Sequence, residues 1–191
     1  MVDKRVLELL LGQQDLGGDW QINGQADLPR ERRTSNPGCT RVERDLYDAG
    51  STSLVGSLRW RMRSTEASKA ILQVVKVHPK QGAEAEVSRV RASVKRCRSW
   101  GEGGDAPGYI FTLSMRSTTA PQAGDEAVAW RYTSRYGPAS PAFTTYNVLF
   151  RLGDVTSLIE YAPGTRTSAA AAEKELHELA ASAAARVDEA I

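Results

Sequence analysis

Two cysteines, two histidines and a short ladder of arginines are the side chains whose types and spacing bear on chemistry in this sequence. Cys39 and Cys97 do not form a Cys-x-x-Cys pair, and only His78 and His177 could join them as soft metal ligands. A structural zinc site normally needs four ligands at tight spacings, so zinc is set aside. What remains is either two small buried hydrophobes in a reducing compartment or one disulfide in an oxidising one. If bonded, the pair closes a loop of roughly 60 residues, which chain entropy values at about 4 kcal/mol. His177 has Glu173 one turn before it, half of a metal site with no third ligand, and reads as a solvated helix residue. His78 precedes Pro79 at a strand end and reads as structural. No serine sits in a Gly-x-Ser-x-Gly elbow. Gly101-Glu102-Gly103-Gly104-Asp105 looks like a phosphate loop, but a helix precedes it and a strand follows. That is the reverse of the order that aims helix amides at an anion, so it is read as a plain turn. No catalytic residue, metal or cofactor is expected.

The most distinctive surface is Leu58-Arg59-Trp60-Arg61-Met62-Arg63. Its strict alternation predicts a strand with Arg59, Arg61 and Arg63 on one face, each about 7 Å from the next. Such a face suits an anionic ligand or an acidic partner; otherwise it is solvated, or its stems lie beneath a helix beside carboxylates. Nucleic acid is not expected, because Trp60 points away from the arginines and the formal net charge is only +2. Trp130, Tyr132, Tyr136 and Tyr146, with Arg131 among them, are core residues or, where a cleft exists, its border. The candidate ligand-binding set is therefore Arg59, Arg61, Arg63, Trp130, Arg131, Tyr132 and Tyr146.

The elements that must position these residues can be read from periodicity. Val6, Leu7, Leu9 and Leu10 follow Asp3 as a short amphipathic helix ended by Gly12, and Asp15 to Trp20 forms a turn. Residues 23–38 read as an irregular loop, and Cys39 to Asp48 as a second short helix. Ala70 to Val77 is a β-branched run, as in a central strand covered on both faces. Ala83, Val87, Val90 and Val94 recur at helical spacing, with Glu84 and Glu86 opening the segment and Lys95 and Arg96 closing it, in the sense that suits the helix dipole. Tyr109 to Met115 and Ala127 to Arg135 alternate as strands. Tyr146 to Leu152 and Val155 to Tyr161 flank Gly153-Asp154, a hairpin signal with glycine first. Thr167 or Ser168 caps a terminal helix whose inner stripe is Ala172, Leu176, Leu179, Ala183 and Val187. The Gly124-Asp125-Glu126 turn has Asp125 bonding local backbone amides.

This order predicts an α+β domain, a mainly antiparallel sheet of five to six strands covered by helices, sandwich-like. Residues 1–191 form one unit: a helical and irregular part over 1–50, the sheet with its central helix 82–96 over 51–165, and the terminal helix over 167–190. Hydrophobic residues make up 41% and charged residues 25% of the 191, ordinary for a folded chain long enough to bury a full core. No run of 18 apolar residues is present. Met1 to Leu11 is interrupted by Glu8 and lacks a small-residue cleavage site, so it does not read as a signal peptide. The chain is then either cytoplasmic or shown without the segment that exports it.

Taken in order, several landmarks form a pattern. They are Leu10…Asp15-Leu16-Gly17-Gly18-Asp19-Trp20, Cys39, Ala83…Val90…Val94…Cys97, Gly124-Asp125-Glu126…Trp130-Arg131, and an alanine-rich terminal helix. Over nearly the whole chain they resemble actinobacterial exported lipoprotein and sensor-domain proteins related to the extracellular domain of PknH-type receptor kinases. The resemblance implies an α+β sandwich-like fold outside the membrane, behind a signal peptide or lipobox absent from this sequence. Any membrane attachment would run through that removed N-terminal anchor. It also implies a groove that takes a small molecule or a partner protein. Kinase sensors of the family carry more than one disulfide; here Cys39 and Cys97 match the positions that pair around the central helix. No catalytic residue carries over. The leading expectation is an exported ligand-binding or sensing domain, with a protein-interaction module and an enzyme of unfamiliar design as alternatives. The ligand and the oligomeric state are not legible.

Overall fold

The alternating and β-branched segments at the centre of the chain become one antiparallel sheet. The computed structural model describes residues 4–16, 20–24, 34–47, 54–62, 69–79, 81–103 and 110–191. Among them are the strands β1 (Trp20–Ile22), β2 (Leu54–Met62), β3 (Ala70–Val77), β4 (Trp100–Gly103), β5 (Ile110–Ser117), β6 (Glu126–Tyr136), β7 (Ala142–Leu152) and β8 (Val155–Ala162). Their order across the sheet is β1-β2-β3-β8-β7-β6-β5-β4, with every neighbouring pair antiparallel. The chain thus makes two meanders that meet side by side at β3 and β8, from Ala70↔Ala162 to Val77↔Val155.

The sheet has eight strands among the described residues, not five to six. The two additions, β1 and β4, lie at its edges. Each is too short to display alternation, and β4 contains two glycines, which lower strand propensity. Gly101, Glu102 and Gly103 therefore belong to a strand rather than a turn, while Gly104 and Asp105 lie outside the described residues. β4 holds because it is tied on both sides. It pairs with β5 from Trp100↔Leu113 to Gly103↔Ile110, and Ser35 N–H donates to the Gly101 carbonyl at 2.8 Å.

Helices cover both faces. On one lie α1 (Lys4–Leu9), α2 (Gln13–Leu16) and α5 (Ala169–Ala190); on the other lie α3 (Pro37–Tyr47) and α4 (Gly82–Arg96). α5 begins at Ser168, whose Oγ accepts from Ala171 N–H at 3.2 Å, a side-chain N-cap. Its fully buried stripe is Ala172, Leu176, Ala180, Ala183 and Val187. Leu179, expected in that stripe, is only partly buried, and Ala180 is the fully buried residue of that turn. Small residues in that stripe let α5 lie close on β7 and β8, above Tyr146, Phe150, Ile159 and Tyr161. α1 lies close on the sheet as well: a Cβ on Gly56 of β2 would lie 2.2 Å from Val6 Cγ1.

α4 leaves β3 at the centre and delivers the chain to β4 at the far edge, packing on β8, β7, β6 and β5. Its expected stripe of Ala83, Val87, Val90 and Val94 is buried, over Leu72, Val74, Leu149 and Leu158. Cys97 at its end is bonded to Cys39 of α3, with an S–S distance of 2.07 Å and a Cα–Cα distance of 5.6 Å. Asp125 does not serve its own turn. Its Oδ2 accepts from Gly153 N–H at 2.9 Å and from Arg151 Nη1 at 3.1 Å, which fastens the β5–β6 connection to the β7–β8 hairpin. No helix of the described residues is long and apolar enough to cross a membrane.

Candidate functional site

The sheet separates the residues selected from sequence, because side chains alternate between its faces. Register places Arg59, Leu72, Glu160, Asn147 and Trp130 in one row on the α3–α4 face. Arg61 and Tyr132 follow two residues further along on that face. Arg131 and Tyr146 pair with each other on the α5 face. Trp130 and Tyr146 are buried in the two opposite cores. Tyr132 is half-buried against Trp100, with ring centroids 6.1 Å apart. Arg63 lies outside the described residues. Of the other two arginines, Arg61 is exposed and Arg59 half-buried. Tyr47 Oη donates to Glu160 Oε2 at 2.5 Å. Burial pushes the Glu160 carboxyl up from its ordinary range, opposed by the Tyr47 hydrogen bond and the charge of Arg59. Arg59 thus faces a carboxylate under α3, which is one of the two situations expected for it.

Two charged clusters lie inside the fold. Under the first turns of α4, Lys76 and Glu86 are 4% and 3% exposed. Lys76 Nζ donates to Glu86 Oε1 at 2.8 Å and to the Asp45 carbonyl at 2.6 Å. Thr156 Oγ1 donates to Glu86 Oε2 at 2.7 Å, and His78 Nε2 lies 3.0 Å from the same oxygen. Burial works against ionisation of Glu86, but His78, Lys76 and Thr156 together outweigh it and pull the carboxyl down to about 2. On the other face, Glu175 of α5 accepts from Lys69 Nζ at 2.7 and 2.9 Å and from Tyr161 Oη. Burial raises the Glu175 carboxyl, and Lys69 and Tyr161 bring it below its ordinary value. The same contact, with burial, pushes the Tyr161 phenol up. Both clusters satisfy their charges internally and hold a helix on the sheet. His177 Nε2 is engaged 3.0 Å from the Thr119 carbonyl. Among the described residues no group of three His, Cys, Asp or Glu side chains could hold a metal.

A groove opens elsewhere, where the C-terminal end of α4 passes over β5. It has a volume of about 310 Å³ and is lined by Val94, Lys95, Arg98, Met115, Arg116 and Ser117. None of the ligand-binding candidates chosen from sequence lines it.

Over its full length the chain matches a solved structure of the extracellular domain of PknH from Mycobacterium tuberculosis. The TM-score is 0.68 at 16% identity, covering 100% of this chain and 96% of that one. The fold is that of the PknH extracellular domain. A second solved structure, a putative uncharacterized protein (Rv0999 ortholog) from Mycobacterium smegmatis, aligns at a TM-score of 0.45 and 12% identity over 94% of this chain and 96% of that one. No family model matches, and no curated protein does. The relation expected from the ordered landmarks is therefore present as a shared PknH-type fold at low identity.

On this PknH-type fold, sequence reasoning found the disulfide and missed the buried Lys76–Glu86 pair and the groove. A signal for the pair was present: Lys76 interrupts the run Ala70 to Val77, which burial on both faces should keep apolar. The groove carried none, because Lys95 reads with Arg96 as a charge complementing a helix end, and neither Arg98 nor Arg116 stands out in the sequence. Only the α4 crossover brings them together.

Proposed function

We propose that the chain is a non-enzymatic sensing domain that works outside the cytoplasm, exported or lipid-anchored there, and takes a small ligand on the α3–α4 side of its sheet. The observation that carries this reading is the match along the whole chain to an extracellular domain. The Cys39–Cys97 bond supports it independently, since structural disulfides are formed and kept in oxidising compartments. The internal pairing of the Lys76–Glu86 and Lys69–Glu175–Tyr161 clusters supports a positional role for these groups. A thiol titration on protein taken from its native host tests the compartment. No titratable thiol before reduction and two after it are expected; two free thiols in unreduced material would sink the assignment. A thermal-shift screen against lipids, glycans and secondary metabolites tests the ligand, and the absence of any shift counts against binding.

A second reading, a protein-interaction module for an acidic partner, is favoured by Arg61. It stands exposed on the α3–α4 face with no carboxylate paired to it among the described residues. Capture of an acidic partner that is unchanged by replacing Arg59, Arg61 and Arg63 with alanine would remove that reading.

A further inference from the structure

Most charged groups inside or beside the core are already answered by a neighbour. Lys76 has Glu86, Lys69 has Glu175, and Arg91 and Arg151 share Glu126 at 2.5 and 3.1 Å. The α5 face at the β5–β6 end of the sheet differs. α5 packs on β7 and β8, and its core takes in Ala127 and Ala129 of β6. Beyond these two the same face of β6 continues as Arg131, Thr133 and Arg135, beside Arg116, Ser114 and Thr112 of β5. None of the described helices lies over this part. Arg116, Arg135 and Thr112 are exposed, and the other three are half-buried. No carboxylate among the described residues is paired with any of the three arginines. They stand on strands, so the helix-end explanation open to Lys95 and Arg96 does not reach them. Arg116 even meets Arg131 directly across the ladder, and like charges so placed weaken a sheet pair when nothing neutralises them.

Register sets the six side chains in three rows. Arg116 stands opposite Arg131, Ser114 opposite Thr133, and Thr112 opposite Arg135. Thr144 of β7 extends the middle row, its Oγ1 3.3 Å from Thr133 Oγ1. A line of hydroxyls is thus flanked by guanidinium groups on both sides, with successive rows about 7 Å apart. β4 adds only Gly101 and Gly103 to this face, so no side chain of β4 rises over the floor. The outer edge of β4 is closed to a further strand at Gly101. There the Gly101 N–H donates to Ser35 Oγ and the Ser35 N–H to the Gly101 carbonyl, each at 2.8 Å. An occupant therefore lies on the face and not at the edge. Tyr146, across the ladder from Arg131, is buried beneath α5, which leaves no ring for stacking a nucleobase. α5 itself stands beside the floor with a diameter of roughly 10–12 Å, a step that holds a planar bilayer away and leaves room for a single extended chain.

We propose that this open part of the α5 face docks an extended acidic segment of a partner protein, laid along β5 and β6. An extended chain repeats its side chains on one side every second residue, at the same spacing of about 7 Å as the rows beneath it. One acidic residue then meets Arg116 and Arg131, the residue two further on meets the hydroxyls, and an acidic residue four further on meets Arg135. Arginine supplies planar forks that suit carboxylate oxygens, and a carboxylate between Arg116 and Arg131 removes their mutual repulsion. The surface lies across the sheet from the α3–α4 side. It goes beyond the sensing reading and does not depend on it.

The test is an NMR titration of the oxidised full chain at low ionic strength, where exposed charges are least screened. The probes are two capped threonine heptapeptides, each with two glutamates, set four residues apart in one and three apart in the other. Their charge is the same, but in an extended chain the second spacing sends one glutamate to the far side. The first peptide binds about fivefold tighter than the second, as one more set of exposed ion pairs provides, and it shifts the Nε–H signals of Arg116, Arg131 and Arg135. Arg116→Gln, Arg131→Gln and Arg135→Gln each weaken it by roughly three- to fivefold, and the triple variant does not bind it. Arg61→Ala, on the other face, leaves it unchanged. Melting temperatures that are unaltered or slightly raised verify the fold, since Arg116→Gln removes a like-charge neighbour. No binding, or equal binding of the two peptides, overturns the proposal on wild-type protein alone. Binding lost in Arg61→Ala and kept in the triple variant overturns it in favour of the α3–α4 face. Binding of phosphatidylserine vesicles or dextran sulfate with neither peptide bound overturns it in favour of a membrane or a polyanion. A small ligand that stabilises wild type and the triple variant alike upholds the sensing reading whichever way the peptides behave.

Discussion

Glu86 is charged in a place where few carboxylates are. Its position near the start of α4 suggests a simple service to the helix dipole, as Glu84 provides from the exposed side. The structure gives it a different task, because its two oxygens are shared among Lys76, Thr156 and His78. With the carboxyl at about 2 when folded and an ordinary value of 4.5 when unfolded, its contribution is fully present above the unfolded value. That contribution fades as pH falls from about 4.5 to about 2, and it amounts to about 3 kcal/mol. Denaturant unfolding followed from pH 6 to pH 2.5 checks this: Glu86→Gln is expected to lose stability at pH 6 and to show a flatter acid limb than wild type. Removing Lys76 alone, as Lys76→Met, strands the carboxylate and is expected to cost about 3–5 kcal/mol, read from the same curves. The sequence marked one half of this arrangement, through a lysine in an apolar run. The other half depended on Thr156, which reaches Glu86 only because β8 is laid beside β3.

At the scale of elements, the long ones were legible and the short ones were not. α4, α5 and β3 each repeat their period often enough for burial to be read off, whereas β1 and β4 are formed by what they touch. β4 owes its place to Thr34 and Ser35 on one side and to Thr40 Oγ1, which donates to Glu102 Oε1 at 2.7 Å. Those contacts come from the entry to α3, and α3 is fixed by Cys39. Replacing Cys39 and Cys97 with serine is therefore expected to cost about 4 kcal/mol on the chain-entropy account. It should also make α3 and β4 the first segments cut by a protease, while α5 stays protected. Equal protection of α3 in the reduced and oxidised protein would contradict this. Gly56 tests the opposite layer. Adding a methyl there drives it into Val6, and Gly56→Ala is expected to lose roughly 1–3 kcal/mol in chemical denaturation by displacing α1.

For the whole molecule, class and layering followed from the order of elements, since strands in runs with helices between them call for a sheet with helical cover. The meeting of β3 with β8 did not follow, because any two antiparallel strands with apolar faces could have been neighbours. That central position should be visible in hydrogen exchange. Amides of β3, β7 and β8, covered on both faces, are expected to exchange only by global unfolding, and those of β1 and β4 by local opening. Similar rates across the sheet would mean that its edges are held as firmly as its centre. The candidate site belongs to this scale too: helix end and strand edge become one groove only through the path of α4 across the sheet.

The junction of the two meanders has a consequence for how the protein is made. β3 is the most apolar strand and is synthesised early, yet its second partner, β8, comes after the whole run from β4 to β7. Until then one edge of β3 is open, a template on which another nascent chain could pair. The polar side chains of Gln73 and Lys76, buried and satisfied in the finished fold by Leu11 N–H, Ser157 and Glu86, are at that stage unpaired interruptions of a sticky segment. Residues that staple the native sheet would thus earlier have acted as gatekeepers against aggregation.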